Sequence, residues 1–280
     1  MNNDIHLSVV IPTYKRVDGL ARCLDCLAPG TQTLSFDQYE VIVTDDEGEG
    51  SKSQKLVQEK YSWAHWVAGP GCGPAANRNN GAKKAKGDWL VFTDDDCLPD
   101  KNWLAAIWEA KLSDENVDVI EGKTIADQPK PSSGWEAPIN EDGGNLWSCN
   151  MAIHKNCFDE LEGFDEEYPV ASVEDIDFHK RIKLANYIIE FAPGALVVHP
   201  WRRIPDFNTL IKKQEAWKRY YMKYPEDLKL YSWKYFIGQA FSLTKAIFWW
   251  GIGKIDNRNI AKEVVRSINA LKILGYKIYN

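Results

Sequence analysis

Much of the chemical interest lies in the stretch Phe92-Thr93-Asp94-Asp95-Asp96-Cys97-Leu98-Pro99-Asp100. Three adjacent carboxylates follow the apolar run Trp89-Leu90-Val91-Phe92, which reads as a buried strand. Like charges crowded at a strand end repel one another, and a hard cation among their oxygens removes that cost. Mg2+ and Mn2+ suit carboxylate donors and also bridge phosphate oxygens, so the cluster points to such a metal and, through it, to a diphosphate. The alternative is a solvated turn capping a helix that starts near Pro99-Asp100.

The elements that would position these acids alternate along the chain. Leu7 to Ile11 reads as a strand before a helix from about Val17 to Leu27, and Val41 to Val43 as a strand before a helix near Ser51 to Tyr61. Ala75 to Lys86 reads as a helix that leads into the strand Trp89 to Phe92. This rhythm predicts a mostly parallel α/β sheet covered on both faces, whose ligands gather at the carboxyl ends of the strands. Pro12 to Arg16, Thr44 to Gly48 and Thr93 to Asp96 all follow such ends. Polar chemistry from three strands should therefore converge on one edge.

In this order the segments resemble the family 2 glycosyltransferases, which have the Rossmann-like GT-A fold. SVVIPTYKR is similar to the family's first nucleotide-binding strand and loop, and VIVTDDEGEG to the second, with Glu47-Gly48 where Gly-Ser is usual. GPAANRNNGAKKAKGDWLVFTDDDCLPD is similar to the helix and the D-x-D strand. GGNLWSCNMAIHK resembles the acceptor-side strand, GFDEEYP the loop after it, and SVEDIDFHKR the E-D-x5-R helix start. The resemblance covers roughly Leu7 to Pro200.

It implies roles residue by residue. Pro12, Tyr14 and Arg16 would line the nucleotide pocket, with Asp46 accepting a hydrogen bond from the base. Arg78 would reach base or diphosphate, Asp94 and Asp95 would belong to the donor site, with Asp94 on the ribose, and Asp96 would hold the metal. A planar guanidinium suits phosphate and base edges, which fits Arg16 and Arg78; a surface ion pair is the alternative for either. Asp175 is the candidate general base for an acceptor hydroxyl, with Glu174 orienting it or the acceptor. Ser172-Val173-Glu174-Asp175 also reads as a capping box, so the alternative is a helix-start carboxylate answering backbone N–H groups. Arg181, two turns along, would pair with phosphate or with those acids. His199 ends the apolar run Ala195 to Val198 before Pro200, where it would either complete the metal's shell or serve as a hydrogen-bonded structural histidine.

Composition is that of a folded chain: 280 residues, 44% hydrophobic and 26% charged. The N-terminus has no basic stretch followed by a long apolar run, so neither a signal nor an anchor is expected and the catalytic part is expected in the cytoplasm. Cys23 and Cys26 form a C-x-x-C pair on a helical pattern without a second pair at zinc-site spacing, and read as packing residues. Residues 1–200 carry 18 Lys+Arg against 34 Asp+Glu, whereas residues 201–280 carry 16 against 6. That basic tail suits either an anionic surface such as a membrane leaflet, or docking on the acidic body.

Two domains are expected, a GT-A catalytic domain over 1–205 and a basic, amphipathic helical region over 206–280. In the second, Phe207, Leu210, Ile211, Trp217, Tyr221 and Tyr224 form a stripe, Tyr235 to Ile252 is too polar to span and suits an interface, and Ile260, Val264, Ile268 and Leu271 share a face. The whole implies an inverting, metal-dependent hexosyltransferase acting in cell-surface polysaccharide or glycoconjugate synthesis. Its donor would be a nucleotide-diphospho-sugar and its acceptor a hydroxyl of a glycan or lipid-linked molecule, with peripheral contact to the inner membrane face and no nucleic acid. The alternatives are a sugar-nucleotide nucleotidyltransferase, which would want a glycine-rich basic loop after the first strand, and an inactive glycan- or membrane-binding module.

Overall fold

The computed structural model describes residues 5–168, 170–230 and 233–279. In chain order the first elements are β1 (Leu7–Thr13), α1 (Val17–Leu27), β2 (Tyr39–Asp45), α2 (Lys52–Lys60), β3 (His65–Ala68), α3 (Pro74–Ala82) and β4 (Trp89–Thr93). Next come β5 (Leu98–Pro99), α4 (Trp103–Ser113), β6 (Val119–Ala126), β7 (Trp135–Glu136), β8 (Asn150–His154), α5 (Lys155–Glu160) and α6 (Glu174–Leu184). The chain ends with β9 (Ile189–His199), β10 (Arg202–Arg203), α7 (Phe207–Lys223), α8 (Trp233–Gly251) and α9 (Asn257–Tyr279).

Eight strands form one sheet in the order β3-β2-β1-β4-β8-β6-β9-β5. β1 pairs in parallel with β2 and β4, and β2 with β3. β8 runs antiparallel between β4 and β6, and β9 returns parallel to β6. Side-chain alternation splits the core into two layers. Leu7, Val9 and Ile11 meet Leu20 and Leu24 of α1, Val57 of α2 and Trp103 and Ile107 of α4. On the opposite face Val10, Leu90 and Phe92 meet Ala75 and Ala82 of α3, Phe158 of α5, and Phe178 and Ile182 of α6. The expected α/β fold, with helices on both faces of a mostly parallel sheet, is the one observed.

Helix α3 stops at Ala82, short of the expected Lys86. The N–H of Lys83 turns back to the carbonyls of Asn79 and Gly81, and the chain then drops to Gly87. A Cβ on Gly87 would lie 2.8 Å from the carbonyl oxygen of His6, so this return to β1 requires glycine. Cys23 is buried and Cys26 half-buried, both as free thiols.

The chain divides into two compact units. The first comprises residues 5–127, 138–167 and 174–200, and the second the described residues of 128–137, 168–173 and 201–280. Besides the expected tail, therefore, the second unit takes in the described residues of 128–137, 168–173 and 201–205 from within the expected catalytic range. Its short β7–β10 ladder joins Trp135 to Arg203. Asp206 caps α7 by accepting from the N–H of Thr209 at 2.8 Å. Leu210 of α7, Ile204 and Val265 of α9 form a small buried cluster. Phe207 is exposed; in α9 Val265 is buried, Ile260 and Val264 are half-buried and Ile268 is exposed. Small Ala261 beside Val265 supplies the close-packing edge there. The side chain of Leu271 lies outside the described ones.

Candidate active site

The carboxyl ends of β1, β2, β4 and β9 and the starts of α3 and α6 carry the candidate residues. Pro12 is buried within β1, and Thr13 beside it donates its hydroxyl to Asp95 Oδ2 at 2.8 Å. Lys15 then adopts φ 57°, a left-handed conformation that costs a non-glycine residue roughly 1–2 kcal/mol. Either side of this turn, Tyr14 stands 55% exposed while Arg16 reaches the acid cluster. Arg16 Nη1 lies 2.7 Å from Asp96 Oδ2 and 3.3 Å from Asp95 Oδ1. Burial pushes the Asp95 carboxyl up to about 6 against the opposing pull of Arg16 and the Thr13 hydroxyl.

Asp45, at the end of β2, is fully buried and holds its own turn, accepting from the N–H of Glu47 at 3.0 Å, from the Ser51 hydroxyl, and from Trp66 Nε1 at 3.3 Å. Asp46 faces the next loop. Its two carboxylate oxygens accept from the N–H groups of Gly71 at 3.0 Å and Gly73 at 2.8 Å, both glycines at positive φ. Burial raises its affinity for a proton and those two N–H groups lower it. In this structure Asp46 thus stitches β2 to the entrance of α3.

Arg78 of α3 is 3% exposed and joins two segments far apart in sequence. Nη2 donates to Asp94 Oδ1 at 2.8 Å and Nη1 to Glu174 Oε1 at 3.3 Å, with the guanidinium 5.6 Å from the Phe164 ring centroid. Burial pulls against its charge, but Asp94 and Glu174 outweigh this and keep it firmly protonated. Asp175 stands beside Glu174 at the start of α6 and accepts from the N–H of Ile176 at 2.9 Å. Burial first and the Glu174 charge second push its carboxyl up to about 7, against the pull of Arg78. Asp94, Arg78, Glu174 and Asp175 are therefore one electrostatic group.

Among the described contacts Arg181 turns elsewhere. Its Nε donates to Asp177 at 2.7 Å and its Nη1 to the Leu161 carbonyl at 2.6 Å. Asp177, one turn away, is within easy reach of Arg181, whereas Glu174, with Asp175 and phosphate one of its expected partners, is two turns, about 10 Å, along the axis.

His199, at the end of β9, is fully buried. Its Nδ1 lies 2.7 Å from the Pro200 carbonyl, which can only accept, so in the neutral ring the Nε2 lone pair faces Asp96. Nε2 is 3.8 Å from Asp96 Oδ1. Ligand atoms of Asp96, Cys97 and His199 lie within 4.8 Å of one another. One carboxylate oxygen and one imidazole nitrogen, facing each other across this gap, fit a divalent cation of the manganese kind. Desolvation holds the Cys97 thiol well above its usual range, so it packs as a neutral group.

Several supporting residues escaped sequence reasoning. Asn77 donates to the Thr13 and Thr44 carbonyls at 3.3 and 2.8 Å, fixing the ends of β1 and β2 together. Asn150 accepts from Trp103 Nε1 at 2.8 Å and donates to the carbonyls of Lys123 and Ala195 at 2.8 and 3.0 Å, steadying β9 upstream of His199. Glu121 takes Asn140 Nδ2 at 2.7 Å and the N–H of Asn145 at 2.6 Å. The only signal they leave in sequence is a polar residue inside an apolar or helical stretch.

Residues 8–157, more than half of the chain, match the family described as Glycosyl transferase family 2. The chain belongs to this family. As a glycosyltransferase it is 35% identical to the chondroitin synthase of Escherichia coli over 239 residues, 69% of this chain and 34% of that protein. It is 26% identical to glycosyltransferase AglE of Haloferax volcanii over 226 residues, 74% of this chain and 70% of that one. The chain thus spans about a third of the chondroitin synthase. Among solved structures, the mannosyltransferase PcManGT from Pyrobaculum calidifontis, in complex with GDP-Man and Mn2+, superimposes with a TM-score of 0.55 at 18% identity, covering 99% of this chain and 76% of that one. At that identity the likeness concerns the fold, which is of the GT-A type.

Proposed function

We propose that this glycosyltransferase moves a sugar, with inversion, from a nucleotide diphosphate to a hydroxyl of a glycan or lipid-linked acceptor, and that it depends on a divalent metal. The observation that carries the reading is the arrangement of Asp96 and His199 3.8 Å apart at one end of the strand edge, with a separate raised carboxyl, Asp175, at the start of α6. Asp96 and His199 would hold the cation, Mn2+ or Mg2+. When bound, the cation offsets negative charge on the departing diphosphate.

The remaining steps fall to the chain itself. Arg16, half exposed and already drawn to Asp95 and Asp96, is placed to take a phosphate oxygen when one arrives. Exposed Tyr14 offers its ring to the base, and Asp94, paired with Arg78, would accept from the ribose. Asp46 retains lone pairs beyond those given to Gly71 and Gly73 and can accept from the base. Asp175 takes the acceptor's hydroxyl proton; the freed oxygen attacks the anomeric carbon from the face opposite the diphosphate, and the bond to the diphosphate oxygen breaks. A carboxyl near 7 is well matched to that task, because at neutral pH a useful fraction is ionised and still basic. Glu174, fixed by Arg78, holds the start of α6 and keeps Asp175 in this electrostatic setting.

A panel of nucleotide sugars screened for thermal stabilisation with and without Mn2+ tests the donor half without knowledge of the acceptor. Stabilisation by one or two donors only when the metal is present is expected. Equal stabilisation with chelator present would remove the metal from the reading.

A further inference from the structure

Helix α8 has two unlike faces. Toward α9 it packs Ala246, and Ser242 donates to Glu263 Oε2 at 2.8 Å. On the other side Ile237, Phe241 and Phe248 stand 55%, 72% and 61% exposed, with Ile247 at 50% beside them. Positions 237, 241, 244 and 248 follow i, i+4, i+7, i+11 spacing and so make one stripe along the axis. Ile252, just past the helix end, is exposed as well. Water contact over so many large apolar groups on one face is costly for a soluble surface, and such patches mark interaction sites.

Charge decides what suits that face. From Trp233 to Ile255 the sequence has no Asp or Glu, and it has Lys234, Lys245 and Lys254. Lys245 is exposed at the border of the stripe, and Lys254 lies over the Trp249 ring at 5.0 Å, an arrangement in which the lysine stem shares the aromatic surface. Residues 201–280 as a whole carry 16 Lys+Arg against 6 Asp+Glu. Among the described residues no helix is long and apolar enough to cross a membrane.

We infer that α8 is an interfacial helix that lays the face of Ile237, Phe241, Ile247 and Phe248 into the outer part of an anionic lipid surface, with Lys245 and Lys254 at the headgroups. Apolar burial and attraction to acidic headgroups together are what such helices require. This concerns a surface of the second unit and does not depend on the transfer reading.

The test is sedimentation of the full chain with vesicles of phosphatidylcholine alone or with phosphatidylglycerol, at low and high salt. Binding to the anionic vesicles that weakens with salt is expected. Phe241→Ser and Phe248→Ser, both at exposed positions, should each weaken it roughly tenfold, and Lys245→Gln and Lys254→Gln about fivefold each. Metal-dependent donor stabilisation and the thermal midpoint should stay unchanged in all four. Absence of binding to anionic vesicles at low salt overturns the inference. So does binding that ignores both phenylalanine substitutions, or a concentration-dependent dimer that the same substitutions abolish, since a second copy would then cover the face.

Discussion

The strand-edge site and helix α8 depart from the ordinary surface in opposite directions. At the edge, charges are buried: Arg78 is 3% exposed and Asp95 4%, each held by a partner from a distant segment. On α8, large apolar groups are exposed and the nearby charges lie at the border of the stripe. Buried charge costs several kcal/mol unless paired, so it survives where neighbours are fixed around it. Exposed apolar surface asks for something outside the chain. The first region is organised from within, the second for contact.

The sharpest way to break that contrast is at Asp96. If the edge is built around a cation, Asp96→Ala should abolish metal-dependent binding of a nucleoside diphosphate and lower turnover by roughly 10³-fold or more, the several kcal/mol a metal supplies to a leaving group. Calorimetric titration with nucleoside diphosphate and Mn2+ reads this directly. Unchanged affinity would mean that Arg16, and not a metal, carries the diphosphate.

Asp175→Asn probes the other end of the same edge. Asparagine keeps the shape and can accept at a helix start, so donor affinity should persist while turnover falls by roughly 10²–10⁴-fold. Measuring nucleoside diphosphate release with a competent acceptor separates the two effects. Near-normal turnover would leave Asp175 as a cap and move attention to Glu174.

Much of the edge was readable from sequence because it rests on patterns. Apolar runs between helical patterns place β1, β2 and β4, and parallel strands bring their carboxyl ends, with Thr13, Asp45 and Asp94, to one side. The partners of each side chain were not readable. Arg181 looked like a donor to Glu174 and Asp175 but finds Asp177 one turn away. Asn150 and Glu121 carry no role in the sequence reading, yet each ties segments from different parts of the chain. Such choices are made over a few ångströms of tertiary geometry that residue spacing does not encode.

Arg78→Met sharpens the comparison as a matter of stability. It removes the buried guanidinium that Asp94 and Glu174 share. Breaking a buried pair this way costs roughly 3–5 kcal/mol. Denaturant unfolding should register the loss. An equivalent change at an exposed cation on the second unit, such as Lys245→Met, should stay within about 0.5 kcal/mol. Similar losses at both would show that the edge is no more internally organised than the tail.

The smallest effect follows from the Asp175 carboxyl and has a definite sign. An aspartate ordinarily titrates near 3.8, and in the folded chain burial and Glu174 raise this to about 7. Below pH 3.8 the folded and unfolded forms are both protonated, so the site costs nothing. Between those values the folded form keeps a proton that the unfolded chain has released, and stability falls as pH rises through the window. Above 7 the full cost of ionising beside Glu174 is present. Asp175→Asn carries no such charge, so the variant should be more stable than the parent at pH 8, by roughly 1–3 kcal/mol, with the gap closing toward pH 4. Thermal melts of both proteins across that range, without metal or donor, make the measurement. A helix cap that merely answers backbone N–H groups would show the reverse, because the ionised carboxylate is then the stabilising form and its loss would weaken the fold most at high pH. If Asp175 is the base, it works only without its proton, so turnover should rise across the same pH interval in which ionisation costs the fold stability.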